Sequence, residues 1–191
     1  MAEKLYNNVR MIEVRFHGRG GQGAVTSVEM IALAAISEGE YALAFPSFGP
    51  ERRGAPVLAF VRIDDKPIKI RSEVKEPDIV VVFDPRLLNI INVASGLKDS
   101  GIIIVNSKRT PQQIKSVLGG KYRVATVDAA AIAKEILGVT VVNTTMLGAV
   151  VKATDIVKLA SLEEPLKHRF GKGGTNNINA SRKAYEQTLI V

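Results

Sequence analysis

The chain contains no cysteine. That one absence excludes disulfides, iron–sulfur ligation by this chain, zinc–thiolate sites and cysteine nucleophiles. Histidine is nearly missing as well. His17 and His168 are the only imidazoles and they lie far apart in sequence, so no metal site is expected. Aromatic residues make up only 5% of the chain, and Lys and Arg are scattered along it. There is no stacking platform for bases, which argues against nucleic-acid binding. No apolar run is long enough to cross a bilayer, and Met1–Arg10 lacks the apolar core of a signal peptide. A soluble, cytoplasmic protein with no membrane contact is the expectation.

What is present is ample for a core. Hydrophobic residues are 46% of 191, enough for a single domain spanning 1–191. Lys and Arg number 26 against 19 Asp and Glu, a net charge of +7. That balance suits phosphates or acidic partners.

The stretch Arg15–Gly23, R-F-H-G-R-G-G-Q-G, organises the rest. The apolar run Met11–Phe16 leads in as a strand, and the helix-patterned run Ala24–Ser37 leads out. Gly18, Gly20, Gly21 and Gly23 fall between them, with Arg19 and Gln22 interspersed. Strand, glycine turn and helix form the arrangement that aims free backbone N–H groups at an anion. The alternative is that the glycines serve only tight strand–helix packing. Gly18, Gly20 and Gly23 also fit G-x-G-x-x-G, the dinucleotide fingerprint. That fingerprint wants an acidic residue at the end of the second strand. The next strand, Tyr41–Phe45, ends instead in Phe45-Pro46-Ser47. Nicotinamide or flavin binding therefore loses its second support.

Pro46–Pro56 carries three prolines and two glycines around Glu51-Arg52-Arg53, so it reads as a stiff irregular loop. Arg52 and Arg53 could grip phosphate or carboxylate bidentately, or form a solvated charge cluster. Val57–Ile63 alternates as a strand, and Ile68–Ile70 is expected to return as a hairpin after the turn Asp64–Pro67. Ile79–Phe83 reads as a strand buried on both faces. Asp84, at the C-terminal end of that strand, could be catalytic, but the expectation is that it caps a short helix over Arg86–Asn92. Strands at Gly101–Val105 and Tyr122–Val127 alternate with helices at Pro111–Leu118 and Ala129–Leu137, the latter capped by Asp128. A long helix is expected over Asn143–Leu159, capped by Asn143 or Thr144. Further helices are expected over Leu162–Phe170 and Asn176–Ile190. Gly171–Asn177 between them reads as a connector with Thr175 or Asn176 as cap, or as a second anion loop. The pattern predicts an α/β fold: a three-layer sandwich with a mainly parallel sheet, an antiparallel hairpin portion and helices on both faces. From about residue 143 a helical C-terminal extension follows.

Several segments together resemble one family. They are H-G-R-G-G-Q-G-A-V-T at His17–Thr26, F-P-S-F-G-P-E-R-R-G-A-P-V at Phe45–Val57, E-P-D-I-V-V-V-F-D at Glu76–Asp84, N-T-T-M-L-G-A at Asn143–Ala149, and Asn176, Asn177 and Ala180 near the end. They resemble the gamma subunit of the 2-oxoacid:ferredoxin oxidoreductases, with the pyruvate or branched-chain enzyme as the nearest look. The resemblance implies a complex that decarboxylates a 2-oxoacid on thiamine diphosphate with magnesium, passes electrons through iron–sulfur clusters to ferredoxin, and transfers the acyl group to coenzyme A. Alpha, beta and delta subunits are the implied partners and would hold thiamine diphosphate and the clusters. The chain agrees with that division, because it has neither a cysteine nor the G-D-G opening of a thiamine-diphosphate motif. It is not expected to be catalytic alone or to hold a cofactor by itself. Assembly, and contact with coenzyme A through Gly18, Arg19, Gly20, Gly21, Gln22, Gly23, Arg52 and Arg53, are the roles left to it. The competing readings are a freestanding Rossmann-like dinucleotide-binding oxidoreductase and a pure assembly module. Which 2-oxoacid is used is not written in this chain.

Overall fold

A computed structural model describes residues 11–47 and 55–191. In chain order the elements are β1 (Ile12–Arg19), α1 (Ala24–Ser37), β2 (Tyr41–Pro46), β3 (Pro56–Asp64), β4 (Ile79–Val82), β5 (Ile102–Asn106), α2 (Pro111–Val117), β6 (Arg123–Val127), α3 (Ala129–Leu137), α4 (Asn143–Thr154), α5 (Glu163–Phe170), α6 (Gly174–Gln187) and β7 (Leu189–Ile190). Short 3-10 turns sit at Pro85–Asn89, Leu159–Leu162 and Gly171–Gly173. The strands form one seven-stranded sheet in the order β2-β3-β1-β4-β5-β6-β7. β1, β4, β5 and β6 run parallel. β3 is antiparallel to β1 and β2, and β7 is antiparallel to β6.

The apolar pattern explains the layering. β4 is Ile-Val-Val-Val and fully buried, so it needs cover on both faces. Ile79 and Val81 join the larger core with residues of α1, α3, α4, α5 and α6. Val80 and Val82 point the other way, onto Leu87, Val93, Leu97 and Ile114 of α2. The expected α/β sandwich, mainly parallel with helices on both faces, is what the chain forms.

Local chemistry sets several boundaries. α1 has the expected span, and Gly39 (φ +92°) takes the left-handed position just past its end. α3 starts where Asp128 accepts the N–H of Ala131 and stops at the left-handed Gly138. Thr110 and Gln113 form a reciprocal capping box at the start of α2.

The structure departs from the sequence expectations at identifiable places. β1 does not stop at Phe16. It runs to Arg19, because β3 continues the ladder as far as Arg19↔Pro56. Ile68–Ile70 does not return as a strand. Two inward guanidiniums take its place: Arg62 donates to the carbonyls of Ile70 and Ser72, and Arg15 donates to that of Val74. The antiparallel portion is instead β2–β3 and β3–β1. The helix expected over Arg86–Asn92 is the 3-10 turn Pro85–Asn89, although Asp84 caps it as expected. The helix from Asn143 ends at Thr154, where Asp155 adopts φ +51°, rather than at Leu159. Its cap position is Val142, so neither Asn143 nor Thr144 is the cap. Thr175 and Asn176 lie inside α6, whose preceding residue is Gly173, so the expected connector is reduced to one 3-10 turn. The tail leaves α6 at Thr188 and pairs with β6 instead of continuing as helix. The segment expected to be a loose arm, Met1–Val9, lies outside the described residues.

Candidate functional site

Connections leave β1 and β4 in opposite directions. From β1 the chain passes through α1, on the face of Phe16 and Val81, to β2 at the left edge of the sheet. From β4 it passes through residues 85–101, on the face of Val80 and Val82, to β5 on the right. The carboxyl ends of β1 and β4 are therefore a topological switch point, where an open α/β sheet leaves a crevice for a ligand. The same topology bears on dinucleotide binding. β2 runs in the same direction as β1 but is separated from it by the antiparallel β3, so β1-α1-β2 is not the unit of adjacent parallel strands that supplies a ribose-binding carboxylate.

The glycine turn lies at this switch point. Gly21 (φ +88°) and Gly23 (φ +77°) hold conformations that side chains resist. Among the described residues, nothing lies within 4 Å of where a Cβ on Gly21 would be. Gly18 belongs to β1, paired with Val57, and not to the turn itself. Three of the turn's N–H groups are spent internally. Arg19 N–H donates to Gln22 Oε1 at 2.7 Å, Gln22 N–H to the Arg19 carbonyl at 2.9 Å, and Gly20 N–H to the Ala55 carbonyl at 3.0 Å. Among the described residues no backbone acceptor takes the N–H of Gly21 or Gly23. α1 then begins without a side-chain cap, so the amides of its first turn have no intrahelical partner. Gly21, Gly23 and the start of α1 are thus the donors this turn can offer an anion.

Across the crevice stands Asp84, the residue directly after β4 and Phe83. Its carboxylate is 3% exposed. Oδ2 accepts Arg19 Nε at 2.6 Å and Arg86 Nη2 at 2.7 Å, while Oδ1 accepts the backbone N–H and Nε of Arg86. The hydrogen bond from the Arg86 side chain, helped by that from Arg19, outweighs burial and holds Asp84 well below the usual carboxylate range. The Asp-Pro at a strand end was visible in sequence as a cap. Its pairing with Arg19, and the place of Arg86, were not, because 65 residues separate Arg19 from Asp84. Arg52 and Arg53, the other expected guanidiniums, lie outside the described residues. Ala55, described just ahead of β3, accepts the N–H of Gly20.

The underside of the turn is closed by α4. A Cβ on Gly23 would lie 2.5 Å from Asn143 Nδ2. Ser27 Oγ donates to the carbonyls of Gly23 and Asn143, both at 3.2 Å. Next along, Thr144 Oγ1 donates to Asn177 Oδ1 at 2.6 Å, and Asn177 Nδ2 donates to the Gly173 carbonyl. The segments around Gly23, Asn143 and Asn177, remote in sequence, thus form one continuous contact. The turn packs tightly at Gly23, whereas among the described residues nothing approaches Gly21.

Behind β1, on the α2 face, Arg15 and His17 are both buried. Arg15 donates Nε to His17 Nε2 at 3.0 Å and Nη2 to the carbonyls of Val93 and Ser95. An accepting Nε2 places the imidazole proton on Nδ1, which is buried without a partner. Burial first, and the Arg15 charge second, push the His17 pKa down to about 3. His17 is therefore a neutral structural imidazole. Among the described residues, no group of three or more His, Asp or Glu is placed to hold a metal ion, and no helix is long and apolar enough to cross a membrane.

Comparison with known proteins fits this geometry. Residues 13–187 match the family model of pyruvate ferredoxin/flavodoxin oxidoreductase. The chain is 56% identical over 182 residues to the pyruvate/ketoisovalerate oxidoreductases common subunit gamma of Pyrococcus furiosus, covering 94% of this chain and 98% of that one. It is 51% identical over 178 residues to pyruvate synthase subunit PorC of Methanothermobacter thermautotrophicus, covering 93% and 96%. The crystal structure of the pyruvate oxidoreductase subunit PORC of Thermotoga maritima superposes with a TM-score of 0.85 at 36% identity, covering 95% of this chain and 99% of that one. The chain belongs to the pyruvate ferredoxin/flavodoxin oxidoreductase family, as one of its gamma-type subunits.

Proposed function

We propose that this chain works in the cytoplasm as the gamma subunit of a multisubunit 2-oxoacid:ferredoxin oxidoreductase, beside alpha, beta and delta subunits that hold thiamine diphosphate, magnesium and the iron–sulfur clusters, with ferredoxin as the electron acceptor. Within it, the glycine turn and its guanidiniums bind the phosphates of coenzyme A, whose thiol accepts the acyl group. The observation that carries the ligand reading is the place of the glycine turn at the topological switch point. There the free amides of Gly21, Gly23 and the α1 start lie at the end of the strand that carries Arg19. Such a donor set fits a pyrophosphate. It does not fit a cluster, since the chain offers no thiolate. The residues here orient and anchor an anion, and none is placed to make or break a bond. A dinucleotide reading fails because β3 separates β2 from β1, and β2 ends without an acidic residue.

The test is kinetic, in the reassembled complex. Arg19→Ala, and separately the double substitution Arg52→Ala with Arg53→Ala, should raise the KM for coenzyme A at least about tenfold and leave the KM for the 2-oxoacid unchanged. A lost charge-assisted hydrogen bond costs about 1.5–3 kcal/mol, which is about ten- to hundredfold in affinity. An unchanged KM for coenzyme A with intact assembly would defeat the ligand reading and leave an assembly role.

A further inference from the structure

Asp84 does more than its cap requires. Capping the turn Pro85–Asn89 uses one acceptor, Oδ1, on the N–H of Arg86. An asparagine would cap about as well. Yet a full carboxylate is buried here, and burying one is costly unless it is paired. Its second oxygen takes both Arg19 and Arg86, from opposite sides of the switch point. Arg19 comes from the end of β1 and Arg86 from just beyond β4, so the carboxylate joins the two strand ends that flank the crevice. The side chains of Arg19 and Arg86 are 22% and 75% exposed, so both guanidiniums remain within reach of solvent.

We propose that Asp84 is a positioning residue that assembles Arg19 and Arg86 into a paired guanidinium grip for an anionic ligand at the switch point. This rests on the reading of the glycine turn as a phosphate site. The physical reason is preorganisation. A free arginine surrenders rotamer freedom when a ligand immobilises it, and a side chain already held on a carboxylate has surrendered most of that on folding. Arg86 enters the site through Asp84 alone, for its sequence position announces only a helix start.

Asp84→Asn is the informative substitution, because it retains an acceptor for the N–H of Arg86 and removes the charge. In the assembled complex it should raise the KM for coenzyme A about tenfold, with kcat at saturating coenzyme A within about twofold of the parent. Combined with Arg19→Ala, it should add little to the effect of Arg19→Ala alone, since both act through one grip. If Arg19→Ala raises the KM but Asp84→Asn does not, or if the two effects multiply, the positioning role is wrong while the phosphate site stands. If Arg19→Ala itself has no effect, the phosphate reading falls and this inference with it. Should Asp84→Asn fail to assemble, Arg86→Ala alters only an exposed side chain. A KM rise of about threefold or more is then expected, and no rise overturns the proposal.

Discussion

Replacing Gly148 by alanine is expected to destabilise the chain by about 3 kcal/mol or more, at or above the upper end of what overpacking costs in a protein interior. α4 is buried on all sides, and its closest neighbour is the backbone of α6. A Cβ on Gly148 would sit 1.8 Å from the Ser181 carbonyl oxygen and 2.9 Å from the backbone nitrogen of Tyr185. Both are backbone atoms in the middle of a helix, so no side chain can swing aside. The helices must separate, and that strips contact from Leu147, Val151, Ile178 and Ala184 in the main core. For a domain of this size the melting temperature should fall by about 6 to 12 °C. The same separation would pull Thr144 from Asn177 and loosen the floor under Gly23. Thermal unfolding of Gly148→Ala against the parent chain measures it. A loss below about 1 kcal/mol would mean that the two helices do not approach as closely as described.

The second large effect is a dependence on pH. In the folded chain His17 is neutral down to about pH 3, whereas an unfolded histidine takes its proton near pH 6.5. Between those values only the unfolded chain binds the proton. Stability is therefore fully present above pH 6.5 and declines as the pH falls toward 3. At about 1.36 kcal/mol per unit, the whole window is worth about 5 kcal/mol at most. Asp84, held low by Arg86 and Arg19, adds its own loss only once the pH passes below the ordinary carboxylate range. Urea midpoints measured from pH 7.5 to pH 4.5 therefore isolate His17. The parent should lose about 2 to 3 kcal/mol over that range. His17→Gln, which can still accept the Nε–H of Arg15, should lose much less. Equal slopes in the two proteins would show that His17 is not buried neutral.

Much of the fold is written locally. α1 and α3 have the spans that their apolar spacing, Gly39, Asp128 and Gly138 announce. β4 declares its central position by four β-branched residues without a polar interruption. What escaped the sequence depends on contacts between distant residues. Arg15 sits at a strand position that alternation assigns to a polar face, and Arg62 shares its face with Leu58 and Phe60; both are buried and bond to backbone carbonyls. A strand was expected at Ile68–Ile70 because nothing local signals that a guanidinium will satisfy that backbone instead. The early end of α4 rests on Asp155 in a left-handed conformation, which its residue type does not demand. β7 was hidden because Leu189 and Ile190 continue an apolar pattern that a helix could also have used. The site was half legible. The glycine turn and Arg19 stood out, and Asp84 was seen as a cap. The grip that joins β1 to β4, and the support of Gly23 by Asn143, exist only once the sheet order is known.

The amides of the glycine turn and the start of α1 are proposed to face a negatively charged ligand. Amide hydrogen exchange on the assembled complex, with and without coenzyme A, tests it most directly. Protection should rise over residues 20–26 when coenzyme A is added and stay unchanged at β7, on the opposite edge of the sheet. Coenzyme A turnover at the normal rate with no added protection at residues 20–26 would contradict it.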